Sequence, residues 1–216
     1  MPRLLSLFEG TGAISKPFRE GGWEVQSLDI NGKFGATLCT DILLWDYSQE
    51  PPCDVLIAGV PCENYSIANT RGKRNMLFAD KLVRKTWEII EHFSELHPTG
   101  SMIWLIENPD SSYLWKRKVS EPFPYRVRLD FCQYGKPYRK RTKLATNAYD
   151  YVPRPLCNPK TCPSCVDGKH IKSAQRGPSK GRGLEDKCSL DELHQYPSNL
   201  CSEIFEHCRA RQWTLL

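Results

Sequence analysis

No apolar run in this chain of 216 residues approaches the roughly 20 residues that a membrane-spanning helix needs. The opening stretch, MPRLLSLFEGTG, has too short an apolar segment and too early a glycine for a secretory signal. An intracellular, non-secreted location with no membrane partner is therefore expected. There is no internal repeat, and only five histidines are present. None of them lies near, in sequence, the cysteine or the glutamate singled out below, which argues against a cysteine–histidine hydrolase.

Cysteine, by contrast, is plentiful. In a reducing compartment the ten cysteines read as thiols or metal ligands rather than as disulfides. The length, a hydrophobic content of 40% and six tryptophans suit one domain with a substantial core and a small appendage. The net charge of +5 is modest but unevenly spread. Between Lys116 and Lys143 ten Lys/Arg face two acids, between Thr70 and Lys85 six face one, and between Lys169 and Lys187 six face two. Cations gathered into three patches suggest a polyanionic partner such as nucleic acid.

Along the chain, short strands alternate with helices. RLLSLF reads as a strand, followed by the turn EGTGA and a helix to about Glu20. WEVQSLDI, GATLCTDI, DVLIAGV and MIWLIE are further strands, and YRVRLDFCQ and TKLATN form a final pair. LFADKLVRKTWEIIEHFSEL carries Phe78, Leu82, Ile89 and Phe93 on a helical stripe, and SNLCSEIFEHCRAR is a C-terminal helix. This alternation predicts an α/β fold with a doubly wound, mostly parallel sheet. Ligands in such sheets bind beyond the carboxyl ends of the strands. Phe8-Glu9-Gly10, Asp29, Asp41, Pro61-Cys62 and Glu107-Asn108 all fall there.

Two of these strand ends suggest chemistry. The run from Val55 to Val60 stops on a proline, which cannot donate to a sheet, so Cys62 sits on the loop at the strand's tip. Glu107 ends another apolar strand, where burial is expected to raise its pKa, so that a thiol nucleophile and an acid face one space. Glycines 10 and 12 allow a ligand to approach the backbone and expose helix N-terminal amides. Asp29 is placed to bind a ribose hydroxyl pair and Asp41 to accept from an adenine amine. An adenosine cofactor fits, either NAD or S-adenosylmethionine.

The motifs LFEGTGA, GVPCENYS, IENP and YGKPYRKRT, in this order from Leu4 to Asn147, resemble those of the DNA (cytosine-5) methyltransferases, most closely the small viral and phage members. The resemblance implies the S-adenosylmethionine-dependent methyltransferase fold, DNA with a short cytosine-containing site as partner, and, for a viral protein, the nucleus or cytoplasm of a host cell. It implies that Cys62 attacks carbon 6 of cytosine and Glu107 holds the ring nitrogen and amine. Asn108 orients the loop, and Arg141, with Arg139, meets the base carbonyl. Tyr138 stands where the family carries glutamine, which leaves a one-residue gap before the arginine pair. The cofactor would contact Phe8, Glu9, Gly10, Thr11, Gly12, Asp29, Ile30, Asp41, Ile42 and Pro61. The target base would leave the duplex, with Arg71, Lys73 and Arg74 of the following loop on phosphates. The family's late Gly-Asn element is absent. Methylation of RNA, or a catalytically silent nucleic-acid-binding module, are the alternatives.

Residues 1–148 thus form a catalytic domain, 149–188 a basic, irregular insertion and 189–216 a returning helix. The insertion is too poor in apolar residues to build a core. Its spacing Cys-x4-Cys-x2-Cys-x4-His, from Cys157 through Cys162 and Cys165 to His170, suits a structural zinc, with Cys188 as an alternative ligand. A compact target-recognition region is what the resemblance implies here.

Overall fold

The computed structural model describes residues 1–67, 69, 72–99, 101–174 and 187–213. Nine strands and four α-helices are found among them. In chain order they are β1 (Arg3–Leu7), α1 (Lys16–Glu20), β2 (Glu24–Asp29), β3 (Leu38–Cys39), β4 (Val55–Gly59), α2 (Met76–Leu96) and β5 (Ile103–Pro109). There follow β6 (Arg126–Asp130), β7 (Arg141–Thr146), the hairpin β8 (Cys165–Val166) and β9 (Lys169–His170), α3 (Leu190–His194) and α4 (Ser198–Trp213).

Seven strands form one sheet in the order β3-β2-β1-β4-β5-β7-β6. Strands β1 to β5 are mutually parallel, and β7 runs antiparallel to both of its neighbours. The strand period of two sorts the apolar runs onto two faces. Leu5, Leu56 and Ile106 lie against α2 in one core layer. Leu4, Val55, Ile57 and Leu105 lie in the other, with Phe18 of α1 and Leu200, Ile204 and Phe205 of α4. This is the doubly wound, mostly parallel arrangement expected.

Helix α2 buries Ala79, Leu82, Val83, Thr86, Ile89, Ile90 and Phe93, one stripe at helical spacing. Each large aliphatic side chain so buried contributes roughly 1.5–3 kcal/mol. The Asn75 side chain caps the helix by accepting from the amide of Phe78.

Three elements differ from expectation. GATLCTDI yields only the two-residue β3, paired at Leu28↔Leu38 and Asp29↔Cys39. Its remainder is loop, and Ile42 turns into the α2-side core. Strand β5 runs through Asn108 to Pro109, because β7 still pairs there after β4 has ended opposite Glu107. Pro109 is tolerated at that one-sided position. Helix α3 was not anticipated; a reciprocal capping box between Ser189 and Glu192 starts it. Among the described residues no helix is long and apolar enough to cross a membrane.

Candidate active site

Strand β1 ends at Leu7, and the chain then turns sharply, with Phe8, Gly10 and Gly12 all at positive φ (58°, 55° and 74°). A phenylalanine held there is strained, and such strain concentrates at ligand-binding turns. The turn is pinned from two sides. The amide of Gly10 donates to Asp29 Oδ2 over 2.9 Å, and the hydroxyls of Ser6 and Ser15 both donate to the buried Glu9 carboxylate. Burial outweighs those hydrogen bonds and raises the Glu9 pKa.

Two cavities open along the strand ends and share Phe8, Asp29, Pro61 and Glu63 as a common wall. The first is completed by apolar Ile30, Ile42 and Phe78 together with Asp41 and Asn64. Ile30 is 70% exposed overall, an apolar side chain standing at the rim of a groove. Asp41 Oδ1 accepts from the amide of Leu43, which fixes the carboxylate's orientation.

The second cavity contains Cys62, Glu107, Lys140 and Tyr196, with Gly10 and Thr11 at the turn after β1, and it also holds His194, a histidine that is distant from Cys62 and Glu107 only along the chain. Cys62 and Glu107 reach it from the tips of adjacent parallel strands, since Gly59 pairs with Glu107. Glu107 Oε1 accepts from Thr142 Oγ1 at 2.9 Å and Oε2 from the Tyr196 hydroxyl at 3.0 Å, while Lys140 Nζ stands 3.9 Å away. Burial, then the Glu107 charge, push the Tyr196 phenol well up, so it remains a donor. Asn108 Nδ2 donates to Val60 O at 2.7 Å, tying the two strand tips together, and its buried Oδ1 has no partner among the described residues.

The Cys62 thiol pKa is raised, first by burial and then by the Glu107 carboxylate; Lys140 acts in the opposite direction. Behind the loop, Asp80 of α2 accepts from Tyr65 Oη at 2.7 Å and pairs with Arg117. The loop following Cys62 is thereby anchored to a helix. Gly59 is required at the cavity floor, because a Cβ there would lie 2.8 Å from the Tyr196 hydroxyl oxygen.

Most of the residues singled out in the sequence are thus brought together: Phe8, Glu9, Gly10, Thr11, Asp29, Ile30, Asp41, Ile42, Pro61, Cys62 and Glu107 all line one cavity or the other. Gly12 lines a neighbouring cleft with Lys136 and Asn199. The arginine pair is not at the cavity. Arg141 makes a bidentate pair with buried Asp130, at 3.0 and 2.7 Å, and Arg139 is exposed. Alternation along β7 is the cause. Leu144 belongs to the α4-side core and Ala145 to the α2-side core, so Thr142 shares the Glu107 face and Arg141 does not. Reading YRKRT without a gap would have pointed to Lys140 and Thr142. Tyr196 carries no comparable signal.

In the loop after Cys62, Arg74 donates to the carbonyls of Ser66 and Asn69 and lies 5.4 Å from the Tyr113 ring centroid, while Lys73 is exposed. Arg71 lies outside the described residues. Of the expected metal ligands, Cys157, Cys162 and His170 gather with Cys132. Cys165 is outside that group, and Cys188 packs in the α4-side core.

No family model matches the chain. It is similar to a protein of Frog virus 3 (isolate Goorha) named "Probable DNA (cytosine-5)-methyltransferase", at 29% identity over 197 residues, covering 83% of this chain and 82% of the relative. The methyltransferase EhMeth of Entamoeba histolytica superposes with a TM-score of 0.57 at 10% identity, covering 98% of this chain and 99% of that one, and so shares the fold. The Dnmt2 methyltransferase of S. pombe aligns over 71% of this chain at 15% identity and a TM-score of 0.46; the match spans about half (54%) of that chain.

Proposed function

We propose that the protein transfers a methyl group from S-adenosylmethionine to carbon 5 of cytosine in DNA, through a covalent Cys62 adduct on a base turned out of the duplex. The observation that carries this reading is the meeting of Cys62 and Glu107, from adjacent strand tips, in a cavity that adjoins an apolar groove rimmed by Asp29 and Asp41. The viral relative's name supports cytosine as the substrate.

The groove suits the cofactor. Ile30, Ile42 and Phe78 offer flat apolar walls for an adenine, and Asp29 and Asp41 offer acceptors for ribose hydroxyls and an exocyclic amine. When bound, S-adenosylmethionine supplies an electrophilic methyl group. The protein supplies the rest. The Cys62 thiolate bonds to carbon 6, and the ring's electron pair moves to carbon 5, which becomes nucleophilic. Glu107, oriented by Thr142 and Tyr196, accepts from the amine with one oxygen and, carrying a proton on the other, donates it to the ring nitrogen as the thiolate's charge enters the ring, while Lys140 offers a positive charge to the adjoining polar edge. The methyl group passes to carbon 5 with S-adenosylhomocysteine as the leaving group; transfer of the carbon 5 proton to water and cleavage of the carbon 6–sulfur bond then restore aromaticity and the thiolate. Only a base outside the stack presents carbon 6 to a thiol on a loop. Lys73 and Arg139, both exposed, offer positive charge to phosphates.

The test is transfer of labelled methyl from S-adenosylmethionine to matched DNA and RNA, each single- and double-stranded, with the product nucleoside identified. Label at carbon 5 of deoxycytidine is expected. Label in RNA alone would move the substrate class, and binding of nucleic acid without any transfer would identify a silent module.

The cofactor placement gives its own prediction. Asp29→Ala is expected to weaken S-adenosylmethionine binding by about 1–3 kcal/mol, the scale of a lost hydrogen bond to an ordered group. Calorimetry would measure it, with thermal unfolding as a control because Asp29 also accepts from the Gly10 and Asn31 amides. Unchanged affinity would remove Asp29 from the ribose site.

A further inference from the structure

We propose that Cys132, Cys157, Cys162 and His170 hold one structural zinc ion, which fastens the stretch from Cys157 to His170 to the end of β6. The site is independent of the methyl-transfer reading, because none of its residues lines either cavity.

The geometry comes first. The three sulfurs and one imidazole nitrogen all lie within 4.8 Å of one another. His170 Nε2 is 3.4 Å from Cys157 Sγ and 3.8 Å from Cys162 Sγ. A tetrahedral zinc with ordinary Zn–S and Zn–N bond lengths puts its ligand atoms about 3.6 Å (S to N) and about 3.8 Å (S to S) apart. The two sulfur–nitrogen separations match such an ion, and no two of the four atoms are more than 4.8 Å apart.

Local structure explains how they arrive there. The hairpin β8–β9 reverses through Asp167 and Gly168, both at positive φ (50° and 73°), and folds His170 back over the Cys162 turn. The Cys162 amide donates to Asn158 O and the Cys165 amide to Cys162 O, the tight turning common at cysteine ligands. Cys157 is held by its amide, which donates 2.9 Å to Asp130 Oδ2 at the end of β6. Cys132 lies two residues beyond Asp130, in the short 3-10 helix Phe131–Tyr134 that directly follows β6. Gln133 Nε2 lies 3.6 Å from Cys162 Sγ and 3.9 Å from Cys132 Sγ, an outer donor suited to thiolate sulfur.

A packing role for these thiols explains little. The buried members of this cluster are Cys132, Cys157 and Cys162, with Cys165 partly buried beside them. Among the described residues no aliphatic or aromatic side chain joins them, so this cluster lacks the apolar area that would justify burying three thiols. Cys165 stands opposite His170 across the hairpin, and its sulfur is outside the four-atom group. The ion would therefore bridge the insertion to the body, since one ligand comes from the body and three from the insertion.

The 216-residue chain purified from zinc-replete medium without chelator should carry roughly one zinc per chain by elemental analysis. Cys132→Ser and Cys162→Ser should each weaken zinc binding by more than about 100-fold, beyond the range of outer-sphere changes. Cys165→Ser and Cys188→Ser should leave stoichiometry and affinity unchanged. Should Cys132→Ser fail to fold, cobalt(II) exchanged into the wild type and into Cys165→Ser decides the matter. Both should show the same tetrahedral d–d bands, with thiolate charge-transfer intensity for three sulfurs. A metal-free wild type would overturn the proposal. So would loss of metal, or of one thiolate's intensity, in Cys165→Ser.

Discussion

Cys62→Ala is expected to lower methyl transfer on the order of 10⁴-fold or more, the scale seen when a covalent nucleophile is removed. S-adenosylmethionine affinity should stay near that of the wild type. The separation follows from the two cavities: Cys62 lines the cavity with Glu107 and Lys140, whereas Ile30, Asp41 and Phe78 line its neighbour. Wild-type protein should also be trapped covalently by DNA carrying 5-fluorocytosine, because fluorine stands where a proton must leave, and the variant should not. Turnover within tenfold of wild type would dismiss Cys62 as the nucleophile.

The second large effect is expected at the acid. Glu107→Gln keeps the shape but removes the proton that the carboxyl gives the ring nitrogen, and should lower the rate by roughly 10²–10³-fold, comparable to losing one electrostatic stabiliser of a transition state. The same substitution has an opposite signature on the thiol. Burial raises the Cys62 pKa, the Glu107 carboxylate raises it further and Lys140 lowers it. A negative charge beside a thiolate disfavours it, so neutralising Glu107 should shift the midpoint of Cys62 alkylation to lower pH. Lys140→Met should shift it to higher pH. The free protein's kcat/KM should accordingly keep rising with pH above the ordinary cysteine pKa of about 8.5. Iodoacetamide rates measured across pH, resolved at Cys62 by mass spectrometry, test all three signs. A midpoint that moves upward in Glu107→Gln would separate the two groups in space.

What could be read from the sequence was what depends on neighbours along the chain. The run from Val55 to Val60 can only be a buried strand, and a proline directly after it exposes a loop tip. The same holds for the run into Glu107, and for Asp29 at the end of an alternating strand. What was missed depends on the sheet as a whole. Lys140 and Thr142 could be separated from Arg141 only by knowing which face of β7 meets Glu107. Tyr196 reaches Glu107 across 89 residues of chain, and no local pattern anticipates such a contact. Cys132 stands outside the spaced cysteines of the insertion and joins them only because Asp130, at the end of β6, receives the Cys157 amide. The expected β3 failed for a plainer reason: pairing with β2 extends over two residue pairs and no further.

The alternation of β7 makes the connection ahead of it unforgiving of length. Deleting one residue between Phe131 and Lys140 while keeping the strand in place would exchange its two faces, since a shift by one residue inverts a strand. Arg141 would then stand near Glu107, in the role first expected of it. Buried Asp130 would lose its cation, leaving an uncompensated charge that costs about 3–5 kcal/mol. Leu144 would exchange cores with Ala145. A single-codon deletion there should therefore be less tolerated than a substitution of any one of its residues, and any natural variation in its length should come in pairs.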